Sequence, residues 1–322
     1  MPELPDVTLY VERIQALFAG QRLERVRLAS PFVLRSANPP LSEAFGRKLE
    51  KVTRIGKRIV LELSGERFLV IHLMIAGRLR QRELGAAVPK KVGLLAFDFE
   101  TGSLVFTEAS SKKRASLHYV AGRAALADFQ RGGIEPLEVS LEEFSAAITR
   151  ENRTLKRALT DPRILSGIGN AYSDEILFTA RLSPVKRSQQ LAPDELARLY
   201  RATQETLALW TQRLRDEVGS GFPEQVTAFR EEMAVHGRYK QPCPVCGTAV
   251  QRIRHADNEI NYCPRCQTEG KVLADRSLSR LLRGDWPRSI EELEERIEQR
   301  APAKAPSKAP AKRARPSSKL QS

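Results

Sequence analysis

The chain has 322 residues and a mass of 36.1 kDa, enough for two or three small domains, and 41% of its residues are hydrophobic, which supplies a core and excludes wholesale disorder. Lys and Arg outnumber Asp and Glu by 53 to 39, a net charge of +14, and omitting the last 22 residues, which hold six cations and no acid, still leaves +8 on residues 1–300. A basic body favours a polyanionic partner.

The longest apolar stretch, 68–77, is about half the length of a membrane span and contains His72. The start, MPELPDV, carries Glu3 and Asp6 where a signal peptide needs cations and then an apolar run. Four cysteines are too few for a disulfide scaffold. The expectation is a soluble, intracellular protein without a membrane partner.

Val7, Tyr10, Val11, Ile14, Leu17 and Phe18 recur at helical spacing and Gly20 follows, as at a helix end. From about 22 to 107 the pattern turns to strands: 58–63 and 68–73 flank Ser64-Gly65, and 94–99 and 104–106 flank Thr101-Gly102. Ser42 is expected to cap a short helix ending near Gly46. Around 140 the texture becomes helical. Ser140 with Glu143 makes a capping box, and Leu196, Leu199, Tyr200, Thr203, Leu207, Trp210 and Leu214 define one face of a long helix opened by Pro193-Asp194. The tail 301–322 is a low-complexity Ala/Pro/Lys segment expected to be disordered, with salt-sensitive phosphate affinity or no partner at all.

Cys243-Pro-Val-Cys246 and Cys263-Pro-Arg-Cys266 form a C-x2-C-x16-C-x2-C pattern that holds every cysteine of the chain. Two such turns joined by a hairpin suit one structural, tetrahedral zinc, and the paired knuckles argue against a redox role. Arg252, Arg254 and His255 lie between the knuckles, where a basic hairpin contacts phosphate or groove, or is simply solvated. Ser166-Gly-Ile-Gly-Asn170 separates two helical patterns, 153–160 and 171–180. Asn170 is placed to cap the second helix, whose free N–H groups would face an anion, with Lys156 and Arg157 adding charge from the first. At the amino terminus, removal of Met1 would expose Pro2 as a secondary amine, nucleophilic near neutral pH, with Glu3 beside it to carry protons.

MPELPDV, RIGKRIVLEL at 54–63, HLMIAGRL at 72–79, SGIGNAYSDEILF at 166–178 and CPVCG…YCPRCQ at 243–267 occur in this order. Together they closely resemble the formamidopyrimidine-DNA glycosylase/endonuclease VIII family of base-excision repair enzymes, over roughly residues 1–267. The resemblance implies an α+β multidomain protein that binds damaged double-stranded DNA as a monomer. Its parts would be an N-terminal β-sandwich with a long helix (1–130), a helix–two-turn–helix domain (131–235), a four-cysteine zinc finger with a helical extension (236–300) and the disordered basic tail (301–322). It implies that Pro2 attacks C1′ of the damaged nucleotide, that Glu3 shuttles protons, that Lys57 contacts the phosphate beside the lesion, and that Lys156 and Asn170 contact the DNA backbone.

The chain departs from the family pattern in three places. Asn258 stands where an arginine is usual on the zinc-finger hairpin, with Arg254 as a substitute from another point. Ile75, beside Met74, stands where a methionine fills the gap left by the extruded base. The family's Arg-Phe pair is not recognisable in 108–114, which ends on Arg114. Two functional classes follow: a bifunctional glycosylase/AP lyase acting on formamidopyrimidines, 8-oxoguanine or oxidised pyrimidines, and a non-catalytic damage- or structure-specific DNA-binding protein on the same scaffold. Either would be cytoplasmic, and nucleoid-associated in a bacterium.

Overall fold

A computed structural model describes residues 1–224, 226–227, 229–255, 258–274 and 287–300. The expected tail, 301–322, lies outside the described residues. Among those described, no helix is long and apolar enough to cross a membrane.

Helix α1 (Leu4–Phe18) buries Val7, Tyr10, Ile14 and Phe18 in the sandwich core, where Phe18 stacks on Phe99 at 4.6 Å between ring centroids. Gly20 follows with φ +88°, the left-handed geometry that glycine adopts without a Cβ penalty. The strands β1 (Arg22–Leu28), β2 (Arg47–Ile55), β3 (Arg58–Leu63), β4 (Arg67–His72), β5 (Gly77–Arg82), β6 (Gly93–Phe99), β7 (Ser103–Glu108) and β8 (Ser116–Ala121) are all paired antiparallel. They form two layers, β5-β7-β6-β1 and β2-β3-β4-β8, joined where Arg22 and Leu23 pair with Lys48 and Arg47. Ser42 does not cap: Pro40 precedes a 3-10 turn over Leu41–Ala44 that already contains Ser42.

The helical domain holds α2 (Leu141–Thr149), α3 (Leu155–Thr160), α4 (Asn170–Thr179) and α5 (Pro193–Val218). The capping box forms as expected, with Glu143 N–H donating to the Ser140 hydroxyl and Ser140 N–H donating to the Glu143 carboxylate. On α5, Leu199, Thr203, Leu207, Trp210 and Leu214 are buried, as the sequence pattern requires. Leu4 of α1 packs into this second core rather than into the sandwich, so the first turn of the chain bridges the two domains. The ribbon hairpin is β9 (Gln251–His255) with β10 (Asn258–Tyr262), followed by α6 (Pro264–Thr268) and, further on, α7 (Ile290–Arg300).

Candidate active site and zinc ribbon

Helix α4 organises the site. Its first residue is Asn170 and its N-cap is Gly169, so the backbone N–H groups that open the helix are unpaired by the helix itself. The sequence suggests a phosphate there, with Asn170 as the cap. Instead the Glu3 carboxylate occupies the place: Gly169 N–H donates to Oε2 at 2.6 Å, Ala171 N–H to Oε1 at 2.9 Å and Tyr172 N–H to Oε2 at 3.2 Å. The positive end of the helix favours an anion, and an internal one has taken it. The Asn170 side chain turns the other way and donates to the Glu259 carbonyl of β10 at 2.8 Å.

Glycine at 169 leaves room for two side-chain ends: a Cβ there would lie 2.5 Å from Glu3 Cδ and 2.7 Å from Lys57 Nζ, so both would have to shift. One backbone position therefore brings Glu3 and Lys57 together. Gly167, with φ +81°, makes the matching approach to Leu4, whose N–H donates to the Gly167 carbonyl at 2.9 Å. Pro2 is buried beside Glu3, and Glu3 N–H donates to Asp6 Oδ2 at 2.9 Å, which fixes the start of α1. Burial pushes the Met1 amine, which precedes Pro2 in this chain, below its usual value, opposed by Glu3 and Asp6 and aided by Arg78 and Lys57. Burial also lowers Lys57, with Glu3 opposing. Asp6 is pushed up to about 6, chiefly by burial.

Met1, Lys57 and Met74 line a cavity of about 840 Å³ between the sandwich, the 129–133 segment and the turns that precede α4. Arg54, Arg58, Arg131 and Arg163 line it too, against Glu135 and Asp161, so cations predominate. His72, to which sequence reasoning attaches no role, also lines it and is held down to about 4 by burial, with Arg58 and Lys57 adding to the effect. It is neutral at physiological pH. Ile75 is 59% exposed in the turn 73–76 between β4 and β5, and Met74 sits beside it with φ +54°. Of the two, Met74 faces the cavity.

Lys156 is only 5% exposed; its ammonium donates to the Asn170 carbonyl at 2.6 Å and to Asp174 Oδ1 at 2.5 Å. The sequence reading places it on a DNA phosphate. Here it is committed within the protein, because a buried Asp174 needs a counter-charge. Asp174 and Glu175 are the residues sequence reasoning missed. Asp174 Oδ2 accepts from the Asn261 backbone N–H at 3.2 Å and lies 2.8 Å from His236 Nδ1. Glu175 accepts from the N–H groups of Ala234, Val235 and His236 at 2.7–2.9 Å. These two carboxylates fasten the ribbon to α4. Adjacent acids within a buried helix were the available signal.

Cys243, Cys246, Cys263 and Cys266 place their Sγ atoms within 4.8 Å of one another, with 3.9 Å between Cys243 and Cys266 and 3.4 Å between Cys246 and Cys263. A tetrahedron with Zn–S bonds of about 2.3 Å has edges of about 3.8 Å, so this donor set fits a closed, structural zinc. Arg254 is exposed on β9 opposite Glu259. Arg114 is exposed in the 109–115 loop, with its backbone N–H on the buried Glu108 carboxylate at 3.0 Å.

A β-sandwich, a helix–two-turn–helix unit and a four-cysteine ribbon meeting at one helix define a multidomain scaffold with its candidate chemistry at the amino terminus. Family models match in the same three parts: the formamidopyrimidine-DNA glycosylase N-terminal domain over residues 1–115, the H2TH domain of the same enzymes over 133–214, and the zinc finger found in FPG and IleRS over 240–268. The chain is 34% identical to the formamidopyrimidine-DNA glycosylase of Thermus thermophilus over 84% of its own length and all of that protein, and 28% identical to that of Listeria monocytogenes over 83% and all of it. It belongs to the formamidopyrimidine-DNA glycosylase family. Its fold matches that of Lactococcus lactis Fpg, solved in complex with abasic-site DNA, with a TM-score of 0.72 at 23% identity over 83% of this chain and 99% of that one.

Proposed function

We propose that this protein is a bifunctional DNA glycosylase/AP lyase that removes oxidised or ring-opened bases, such as formamidopyrimidines and 8-oxoguanine, from duplex DNA and then nicks the strand. Family membership supports the reaction class, and one observation carries the assignment of roles. Glu3 is pinned by three backbone N–H groups beside Pro2, with the Lys57 ammonium against the same glycine, and Lys57 and Met1 line the adjoining cation-lined cavity. Groups held this way lose little reorganisation energy during reaction.

Once Met1 is removed, the Pro2 nitrogen attacks C1′ as the bond from C1′ to the base breaks and the base leaves with a proton. The C1′–O4′ bond then breaks, O4′ takes up the proton that the proline nitrogen releases through Glu3, and the opened sugar is held to Pro2 as an iminium. Loss of a C2′ proton then expels the 3′ phosphate, a second elimination expels the 5′ phosphate, and hydrolysis frees the proline. Glu3 exchanges the protons. Lys57 binds the lesion phosphate, and the cavity cations hold the flanking backbone while the nucleotide is extruded. Met74 and Ile75 fill the space the base vacates. Asn170 contacts the backbone through its exposed edge, and Lys156 supports it by holding the first turn of α4. Arg114 and Arg254 meet the DNA from the two sides. Zinc, when bound by the four cysteines, supplies only the ribbon's fold. The location that goes with this reading is the cytoplasm, with nucleoid association in a bacterium.

The test is cleavage of end-labelled duplexes carrying formamidopyrimidine, 8-oxoguanine, an oxidised pyrimidine or no lesion. The expected result is nicking at a lesion and none of the intact duplex. Tight lesion binding without any nicking, from protein shown to lack Met1, would overturn the enzymatic reading.

A further inference from the structure

Three chain crossings between the two sheets lie side by side at the end of the sandwich that carries Lys57. The turn 73–76 joins β4 to β5, the loop 109–115 joins β7 to β8, and the segment 29–35 leaves β1 and runs along the free side of β8. The registers fix their level. His72 pairs with Ser116, Gly77 with Glu108, and Leu34 bridges Leu117 in parallel, which puts Phe32 beside the start of β8.

Phe32 is 78% exposed, yet its support is rigid. Ser30 N–H donates to the Leu94 carbonyl at 2.9 Å, Arg35 N–H to the Leu117 carbonyl at 2.8 Å, and Val33 next to it is 2% exposed in the core. A scattered exposed apolar side chain needs no explanation. This one is an aromatic ring presented from a fixed 3-10 turn amid positive charge. The rim segments 29–35, 86–92 and 109–115 contain Arg35, Lys90, Lys91, Lys112, Lys113 and Arg114 and no acid, and the 109–115 loop contains no aromatic residue.

We propose that Phe32 is a second wedge, stacking on a base of the strand opposite the lesion while Ile75 enters the gap. Between the β3 start beside Lys57 and the segment carrying Phe32 lie three strand spacings, about 14 Å, with the 73–76 turn and the 109–115 loop between them. The order runs from the lesion phosphate, through the vacated position, to the complementary strand. An aromatic face stacks on any base, so the ring stabilises the distorted duplex whatever base is unpaired, and the surrounding cations hold its backbone.

This inference rests on the proposed binding of lesion duplexes. Its test uses the full-length protein and a duplex holding a tetrahydrofuran abasic analogue opposite 2-aminopurine, with Phe32→Ala and Phe32→Tyr as variants. The expected result is an affinity for the abasic duplex roughly tenfold weaker in Phe32→Ala, within the range of single stacking contacts. Affinity for intact duplex and melting temperature should be unchanged, and the fluorescence change seen with wild type should be lost in Phe32→Ala and restored in Phe32→Tyr. A wild type that prefers and cuts lesion duplexes, with Phe32→Ala indistinguishable from it, overturns the wedge alone. A wild type with no preference for the abasic duplex overturns the wedge and the proposed function together.

Discussion

At the start of α4, Glu3, Lys156, Asp174 and Glu175 are all buried with partners inside the protein, whereas Phe32, Ile75 and Arg114 at the rim of the sandwich stand in solvent. In the first set Glu3 would handle protons as bonds break and form, and Lys156, Asp174 and Glu175 hold the helix that fixes it, since such chemistry demands atoms placed before the substrate arrives. The second would handle a duplex whose opposite base varies, which demands surface and charge but little fixed pairing. By the resemblance read from the sequence, Glu3 and Lys156 match the family pattern, whereas Ile75 and the 108–114 segment depart from it. Each of the following variants probes one side of that contrast.

Glu3→Gln should be the most damaging. It removes the proton carrier, and base release should fall by roughly 10²–10⁴, the span of general acid–base contributions, with DNA binding retained. Burst assays on an 8-oxoguanine duplex beside gel-shift titrations would show it, and full activity would refute the role. Asp174→Ala leaves Lys156 buried without its counter-ion and frees Asn261 and His236. It should cost about 3–5 kcal/mol in urea unfolding. A loss under about 1 kcal/mol, the scale of a pair that matters little, would show that α4 does not depend on it.

Gly169→Ala separates catalysis from stability. The added methyl displaces the ends of Glu3 and Lys57, so activity should drop about 100-fold while unfolding and zinc content stay near wild type. An unchanged rate would mean that neither group needs its observed place.

The smallest effect is a pH dependence at Asp6. Its folded pKa of about 6 exceeds the ordinary 3.8, so the folded state favours the protonated form. The contribution to stability is therefore complete below about 4 and is lost as pH rises to about 6. Asp6→Asn should lack this loss, so the variant gains on wild type between about pH 4 and about pH 6 in parallel denaturation series. Parallel curves across that window would contradict the assignment.

What the sequence made legible was local. The two Cys-x2-Cys turns, the Ser140 capping box and the apolar face of α5 all depend on spacings within one segment, and all form as read. The strand pairs around Ser64-Gly65 and Thr101-Gly102 come within a residue or two of their observed ends. The partnerships of α4 were not legible. Glu3 meets Gly169 across 166 residues, and nothing near either one announces it. The turn before α4 does read as an anion site, correctly in chemistry, but the anion is a side chain of the protein. Lys156 reads as a backbone-phosphate contact, whereas its ammonium is buried against Asp174, 18 residues away and unannounced by anything near Lys156. Asn170 lies one residue past the cap, which sends its side chain to the ribbon.

The central claim is that Pro2, set beside the pinned Glu3, is the nucleophile. Borohydride trapping on abasic and 8-oxoguanine duplexes tests it most directly, since reduction converts the iminium into a stable adduct that peptide mapping locates. The account predicts an adduct on the Pro2 nitrogen for lesion duplexes and none for intact DNA. An adduct on a lysine, or no adduct from protein shown to lack Met1 and to hold zinc, would contradict it.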